Sequence, residues 1–233
     1  MRFFGLSDLH LSFSGEKPME IFGDQWNRHW EKVEQGWRER VAPEDVVLLP
    51  GDHSWGMRLE DARVDLEWID TLPGRKILTR GNHDYWWQGI NRIRSTFPAM
   101  TFLQNDAVTL GDVGICGTRG WLLPGSEGFS EAQDEKIYHR EVERLRLALA
   151  ALPRGVKTRV AMLHYPPLLP HQRDTEFTRL LEAAGIDLCV YGHLHRTHRS
   201  NPFRGSRNGV RYMLLSCDFV DFVPVPLELD SDP

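Results

Sequence analysis

The sequence predicts a single α/β domain over residues 1–233, on three observations. Short apolar runs alternate with amphipathic stretches from end to end, which is the pattern of strands alternating with helices. No Ser/Gly-rich or Pro-rich linker, repeat or low-complexity tract divides the chain. Several apolar runs also end on Asp, Asn or His, where a plain turn would need only Gly with Asn or Asp.

Taken in order, Arg2–Ser7 reads as the first strand and Gln25–Val41 as the first helix. Trp26, Trp30, Val33 and Trp37 share one face of that helix, as a core stripe or, given so much aromatic area, as a lid or dimer face. Strand Val46–Leu49 precedes helix Leu59–Thr71, and strand Lys76–Thr79 precedes helix Trp86–Thr96. Thr101–Leu103 and Val113–Gly117 follow as strands. Helix Glu131–Ala151 carries a capping box from Ser130 and Gln133, a stripe of Tyr138, Val142, Leu145, Leu149 and Leu152, and a stop at Pro153. Strand Arg159–Leu163, helix Thr175–Ala184, and strands Leu188–Tyr191, Arg211–Ser216 and near Val223–Leu227 complete the reading.

Composition narrows the function. A 41% hydrophobic, 26% charged chain is ordinary for a globular domain, and its net charge of −5 argues against a broad basic surface for nucleic acid. It leaves room for a small basic pocket. Cys116, Cys189 and Cys217 are scattered and odd in number, so they read as buried reduced thiols. The start "MRFFGLSDLH" has too short an apolar core for a signal peptide, and no segment reaches membrane-spanning length. The expectation is a cytoplasmic protein with no membrane contact.

The polar residues at the strand ends carry the chemistry. Asp8 and His10 follow the first strand, Asp52 the second, and "GNHD" at 81–84 the third. His164 ends a later strand, and "GHLH" at 192–195 supplies His193 and His195. Each alone is an ordinary turn or surface residue; together they converge, because open α/β sheets bind ligands beyond their carboxyl strand ends. In an extended D-x-H or H-x-H pair, alternate side chains face one side. Seven carboxylate, imidazole and amide donors with no thiolate exceed one tetrahedral ion and suit two ions sharing a carboxylate.

At these residues the chain resembles the calcineurin-like metallophosphoesterases. "DLH" at 8–10, "GD" at 51–52, "GNHD" at 81–84, His164 and "GHLH" at 192–195 carry the likeness over nearly the whole chain. "GNHDYWW", the "GTRGW" loop and the Trp-rich helix look like a bacterial subgroup of predicted phosphohydrolases. The resemblance implies a four-layer α/β/β/α sandwich, with two central mixed β-sheets flanked by helices. It implies two divalent ions: Asp8, His10, Asp52 and His195 around one, and Asp52, Asn82, His164 and His193 around the other. Mn is the first expectation, with Fe or Zn as alternatives. Asp52 would be the bridge. His83 and Asp84 would be the catalytic pair, with Asp84 orienting the His83 ring toward the leaving oxygen. His53 departs from the family's usual apolar residue after "GD"; it either points into the adjacent layer or approaches the site.

The implied activity is hydrolysis of phosphodiester, or else phosphomonoester, bonds of a small phosphorylated substrate by water activated between the ions. A nuclease acting on short single strands, or an inactive scaffold of the same fold, are the competing readings. Arg119, in a Gly-bounded loop, and Arg196, beside a ligand, are candidates to clamp substrate phosphate. Arg199, Arg204, Arg207 and Arg211 extend that basic segment, and His198 continues the His series as a surface residue.

Overall fold

The computed structural model describes residues 1–15, 17–169, 174–196 and 202–229. In chain order its elements are β1 (Phe3–Gly5), α1 (His29–Arg40), β2 (Val46–Pro50), α2 (Leu59–Thr71), β3 (Arg75–Thr79), α3 (Ile90–Thr96), β4 (Thr101–Leu103), β5 (Asp106–Leu110), β6 (Val113–Thr118), α4 (Glu131–Ala150), β7 (Thr158–Leu163), α5 (Glu176–Ala183), β8 (Leu188–Tyr191), β9 (Gly205–Arg207), β10 (Val210–Leu214) and β11 (Val225–Pro226). Two sheets result, ordered β11-β1-β2-β3-β4 and β5-β6-β7-β8-β10-β9. In each, the central strands run parallel; the edge strands β11, β5 and β9 are antiparallel to β1, β6 and β10, while the remaining edge strand β4 runs parallel to β3.

The period-two alternation of the strands builds the layers. Val47 and Leu49 of β2 face one way into a core with Trp37, Leu66 and Ile93 of the helices, while Val46 and Leu48 face the other sheet. Likewise Ala161 and Leu163 of β7 meet Tyr138, Val142 and Leu145 of α4, while Val160 and Met162 meet the first sheet. Three cores therefore separate four layers, and the fold is the expected α/β/β/α sandwich. At Gly117 the sheets come so close that a Cβ would strike the Thr79 side chain. All three cysteines are buried and free, and among the described residues no helix is long and apolar enough to cross a membrane.

Some boundaries differ from expectation, each for a physical reason. The first helix starts at His29 rather than Gln25, because Arg28 adopts φ 47° and breaks it from a 3-10 turn at Asp24–Trp26. The third starts at Ile90 rather than Trp86. Trp86 is tied back by its indole N–H to Asp84 at 3.0 Å, and Gly89 at φ 70° precedes the helix. The capping box at Ser130 does not form; Asp134 accepts the Ser130 backbone N–H at 2.8 Å instead. Strands β5 and β9 were not anticipated, since both are edge strands with mixed exposure and weak alternation. His198 and Arg199 lie outside the described residues.

Candidate metal centre

Parallel strands β1, β2 and β3 of one sheet and β7 and β8 of the other release their chains toward a common point. Asp8 and His10 follow β1, Asp52 follows β2, and Asn82 follows β3, while His164 follows β7 and His193 and His195 follow β8. Four of these seven residues sit in the left-handed region: Asp8 at φ 60°, His10 at 46°, Asp52 at 54° and His193 at 71°. Each such residue costs on the order of 1–2 kcal/mol, and backbone bonds hold them there. Asp8 N–H donates to Gly51 at 3.1 Å and His10 N–H to Asp52 at 3.0 Å. Gly81 is needed for space rather than for torsion, because a Cβ there would overlap Asp52 Oδ1 and its backbone nitrogen.

The side chains form two adjoining groups. Asp8, His10 and His195 place ligand atoms within 4.8 Å of one another, and so do Asp8, Asp52 and His164. Asp52 Oδ2 lies between them, 3.8 Å from His10 Nε2 and 3.4 Å from His164 Nε2. Asn82 Oδ1 is 2.7 Å from His164 Nε2 and 2.9 Å from His193 Nδ1. His10 Nε2 and His195 Nε2 are 3.2 Å apart. Two neighbouring ligands each about 2.1 Å from one ion must lie about 3 Å apart, so these separations fit metal coordination. The donor set is carboxylate, amide oxygen and imidazole.

Burial sets the protonation states. It pushes Asp8 above the usual carboxylate range, despite the opposing charges of His164 and His195. It holds His10 well below the ordinary imidazole value, and with the charge of His164 brings His193 to about 3, so both rings are neutral and free to ligate. Burial also opposes ionisation of Asp52, yet the charge and hydrogen bond of His164 carry it below the usual range. His164 is lifted to about 9, because the Asp52 charge and hydrogen bond outweigh burial. Its Nδ1 faces the Pro50 carbonyl at 3.0 Å while Nε2 faces Asn82, so the metal-free ring is protonated.

A pH prediction follows from that proton. The raised pKa stabilises the metal-free fold below the ordinary value of 6.5, and that contribution is lost as pH rises through about 9. An ion must displace the same proton. Metal affinity should therefore rise about tenfold per pH unit between about pH 6 and about pH 8, with proton release. Calorimetric metal titrations in buffers of different ionisation enthalpy read both quantities; flat affinity over that range would exclude His164 as a ligand.

The structure corrects the expected catalytic pair. Asp84 does not orient the His83 ring. Its carboxylate is fully buried and accepts five N–H groups: Asp52, His53, Ser54 and Gly81 backbone, and the Trp86 indole. His83 lies beside the donors, with its backbone N–H on Asp52 Oδ1 at 2.8 Å and its ring 4.3 Å from that of Trp55. Its Nδ1 is buried without a hydrogen-bond partner. His53 points away into the interior, where Nε2 reaches the Thr79 carbonyl at 2.9 Å.

Neither expected arginine brings its guanidinium group to the donors. Arg196 turns to Asp221 at 3.3 Å and over the Phe219 ring, because Asp218 fixes its backbone N–H. Arg119 pairs with buried Glu141 at 3.2 Å and lies over Trp121. Arg207 pairs with Asp174, and Arg211 with Glu228.

Two neighbours, Asp218 and Trp55, escaped the sequence reading, and Trp26 was read only as part of the stripe. Asp218 Oδ1 meets His195 Nδ1 at 3.0 Å and so turns Nε2 toward the centre. It lies just past β10, where the strand-end rule would have found it. Trp55 stacks on His10 with centroids 5.1 Å apart, and Trp26 meets His10 and His195 edge-on. Trp26 thus belongs to the core and also walls the site; Trp37 is plain core, its indole on the Pro73 carbonyl.

Residues 1–197 match the family model of the calcineurin-like phosphoesterases. The gene 66 protein of Mycobacterium phage D29 is 28% identical over 203 residues, covering 84% of this chain and 81% of that protein. An uncharacterized metallophosphoesterase of Helicobacter pylori J99 is 25% identical over 160 residues, covering 65% of this chain and 36% of that protein. The gene 66 protein of Mycobacterium phage L5 is 33% identical over 78 residues, 34% of this chain and 37% of that protein. The matches to these last two span little more than a third of their length. Among solved structures, the phosphopantetheinyl hydrolase of Mycobacterium tuberculosis superposes with a TM-score of 0.61 at 17% identity, covering 100% of this chain and 97% of that one. At that identity the likeness is one of fold.

Proposed function

The chain belongs to the calcineurin-like phosphoesterase family, and from that membership we propose that it hydrolyses phosphodiester bonds of a small phosphorylated substrate. Asp8, His10, Asp52 and His195 would hold one divalent ion, and Asp52, Asn82, His164 and His193 a second. The carrying observation is the spacing of the set, 2.7–3.2 Å between the imidazole and amide donor atoms, with Asp52 between the two groups. Bound ions would supply charge neutralisation at the phosphoryl oxygens and activation of water. Mn is the first candidate, with Fe or Zn next, since such sites select partly by availability. The complete set disfavours an inactive scaffold.

The chain's own residues supply the rest. Asn82 contributes a neutral oxygen, which limits negative charge where a phosphate anion must approach. His83, half-buried beside the donors, would assist the leaving oxygen by proton donation or a hydrogen bond. The rings of Trp55 and Trp26 exclude water from one flank. Buried free thiols fit a reducing compartment, and we infer a cytoplasmic enzyme.

Diesters should be hydrolysed at least as well as monoesters. Among the described residues, no Arg or Lys side chain contacts any of the seven donors. Such a site does not demand the second negative charge of a monoester. Turnover of an aryl diester and an aryl monoester across Mn, Mg, Fe, Zn, Co and Ni tests both activity and preference. A hundredfold or greater preference for the monoester would overturn the diester reading.

A further inference from the structure

Behind the turn that carries Asn82 and His83 lies a second cleft of about 250 Å³. Arg80 precedes the turn, Gln88 follows it, and Gln104, Asn105, Thr118, Arg119, Glu141 and Arg144 complete the polar lining. None of the seven donors of the metal centre lines it. It nevertheless adjoins the centre, since Arg80 leads into Gly81 and Asn82, and the Arg119 carbonyl accepts the His164 backbone N–H at 3.0 Å.

Its charges do not balance. Glu141 is the only carboxylate in the lining; Arg119 and Arg144 both bond it, at 3.2 and 2.6 Å, and Thr118 adds a hydroxyl donor at 3.3 Å. Arg80 forms no salt bridge among the described residues, and the acids whose charges reach it are Asp84 and Glu141. The Nε atoms of Arg80 and Arg119 are both buried with no acceptor. A buried donor left unanswered costs about 1–3 kcal/mol, so both Nε–H groups call for an acceptor that no side chain of the cleft supplies.

The remaining lining is set to donate. Gln104 Oε1 is taken by the Trp87 indole at 2.9 Å, which leaves its NH2 group for a ligand; the single Thr118 hydroxyl proton serves either Asn105 Oδ1 at 3.2 Å or Glu141 at 3.3 Å. Three guanidinium groups against one carboxylate leave two positive charges, which matches a dianion with several acceptor oxygens.

We propose that this cleft is a second anion site that takes a phosphate-class dianion, one turn away from the metal centre. It deepens the phosphoesterase reading and rests on it for the reacting phosphate. The dianion is either a terminal phosphate on the substrate itself, held while another phosphate reacts, or a free phosphate.

The test uses the full chain loaded with its most activating metal. Inorganic phosphate is titrated calorimetrically into the wild type and into Arg80→Gln/Arg144→Gln, with metal content measured in both. The expected result is a binding event beyond that at the metal centre, present also in the metal-free wild type, that weakens at least about tenfold in the variant. Arg144→Gln alone, on α4 and away from the metal loops, repeats the reading if the double variant loses metal. Phosphate binding that is the same in wild type and variants overturns the proposal. The source is read from thymidine 5′-(4-nitrophenyl phosphate) with and without a 3′-phosphate. A kcat/KM ratio at least about tenfold in favour of the 3′-phosphorylated compound, collapsing in the variant, assigns the cleft to substrate; a ratio near unity assigns it to free phosphate. Failure to turn over either compound would count against the phosphoesterase reading alone, because phosphate binding is still measured.

Discussion

Asp52→Asn should empty the metal centre and abolish turnover, by well over the 10–100-fold that changes in outer-shell partners produce. Asp52 Oδ2 lies 3.8 Å from His10 Nε2 and 3.4 Å from His164 Nε2, at the junction of the two donor groups. An amide of the same shape cannot supply an anion to both ions. It also removes the charge that holds the His164 proton, so the pocket's protonation changes with its affinity. Asn82→Ala should act in the same way, since Asn82 Oδ1 is the atom that both His164 and His193 face. His83→Ala should differ. The backbone N–H that His83 gives to Asp52 at 2.8 Å survives the substitution, so the Asp52 carboxylate keeps its position and both ions should remain. Turnover should fall by about 10²–10⁴, the range of a lost general acid. Metal content and kcat measured on the three variants separate the roles. If His83→Ala also loses its ions, its assignment to the leaving oxygen fails.

The donor residues were legible in the sequence because the rule that found them is local. A parallel strand ending in a polar residue delivers it to the carboxyl edge, and Asp8, Asp52, Asn82, His164, His193 and His195 all obey that rule. The layers were expected from the family resemblance, and the structure shows their local basis, since alternation along β2, β7 and β8 sends successive residues into different cores. What failed was non-local. Nothing in "HWEKVEQGW" shows that Arg28, just before it, turns left-handed, while Trp26 two residues earlier packs against His10 across the chain. Nothing in "GNHD" shows where the Asp84 oxygens go, because four of their five donors come from residues 52–54 and 86. Asp218 was missed although the strand-end rule covers it, since it belongs to no motif.

Asp84→Asn is expected to damage the fold first and the chemistry second. The side chain is fully buried and joins the loop after β2 to the loop after β3 through five N–H groups. Those loops carry Asp52 and Asn82, whose side chains must meet across the gap. An amide of equal size offers one acceptor oxygen and turns its NH2 toward donors, so at least two of the five N–H groups lose their partner. Each buried orphan costs about 1–3 kcal/mol, and removing a carboxylate from a buried network costs about 3–5 kcal/mol. Set against a typical total of about 5–15 kcal/mol, that is a large share of the stability. Urea unfolding of the metal-free protein should show the loss directly, and metal affinity should fall with it as Asp52 and Asn82 drift apart. His83→Ala supplies the contrast, with its stability close to that of the wild type, because the ring Nδ1 has no hydrogen-bond partner among the described residues and the ring is only half-buried. An Asp84→Asn variant that unfolds at the wild-type urea concentration, binds metal normally and loses only kcat would instead place Asp84 behind the His83 imidazole. The five hydrogen bonds predict the opposite order of effects.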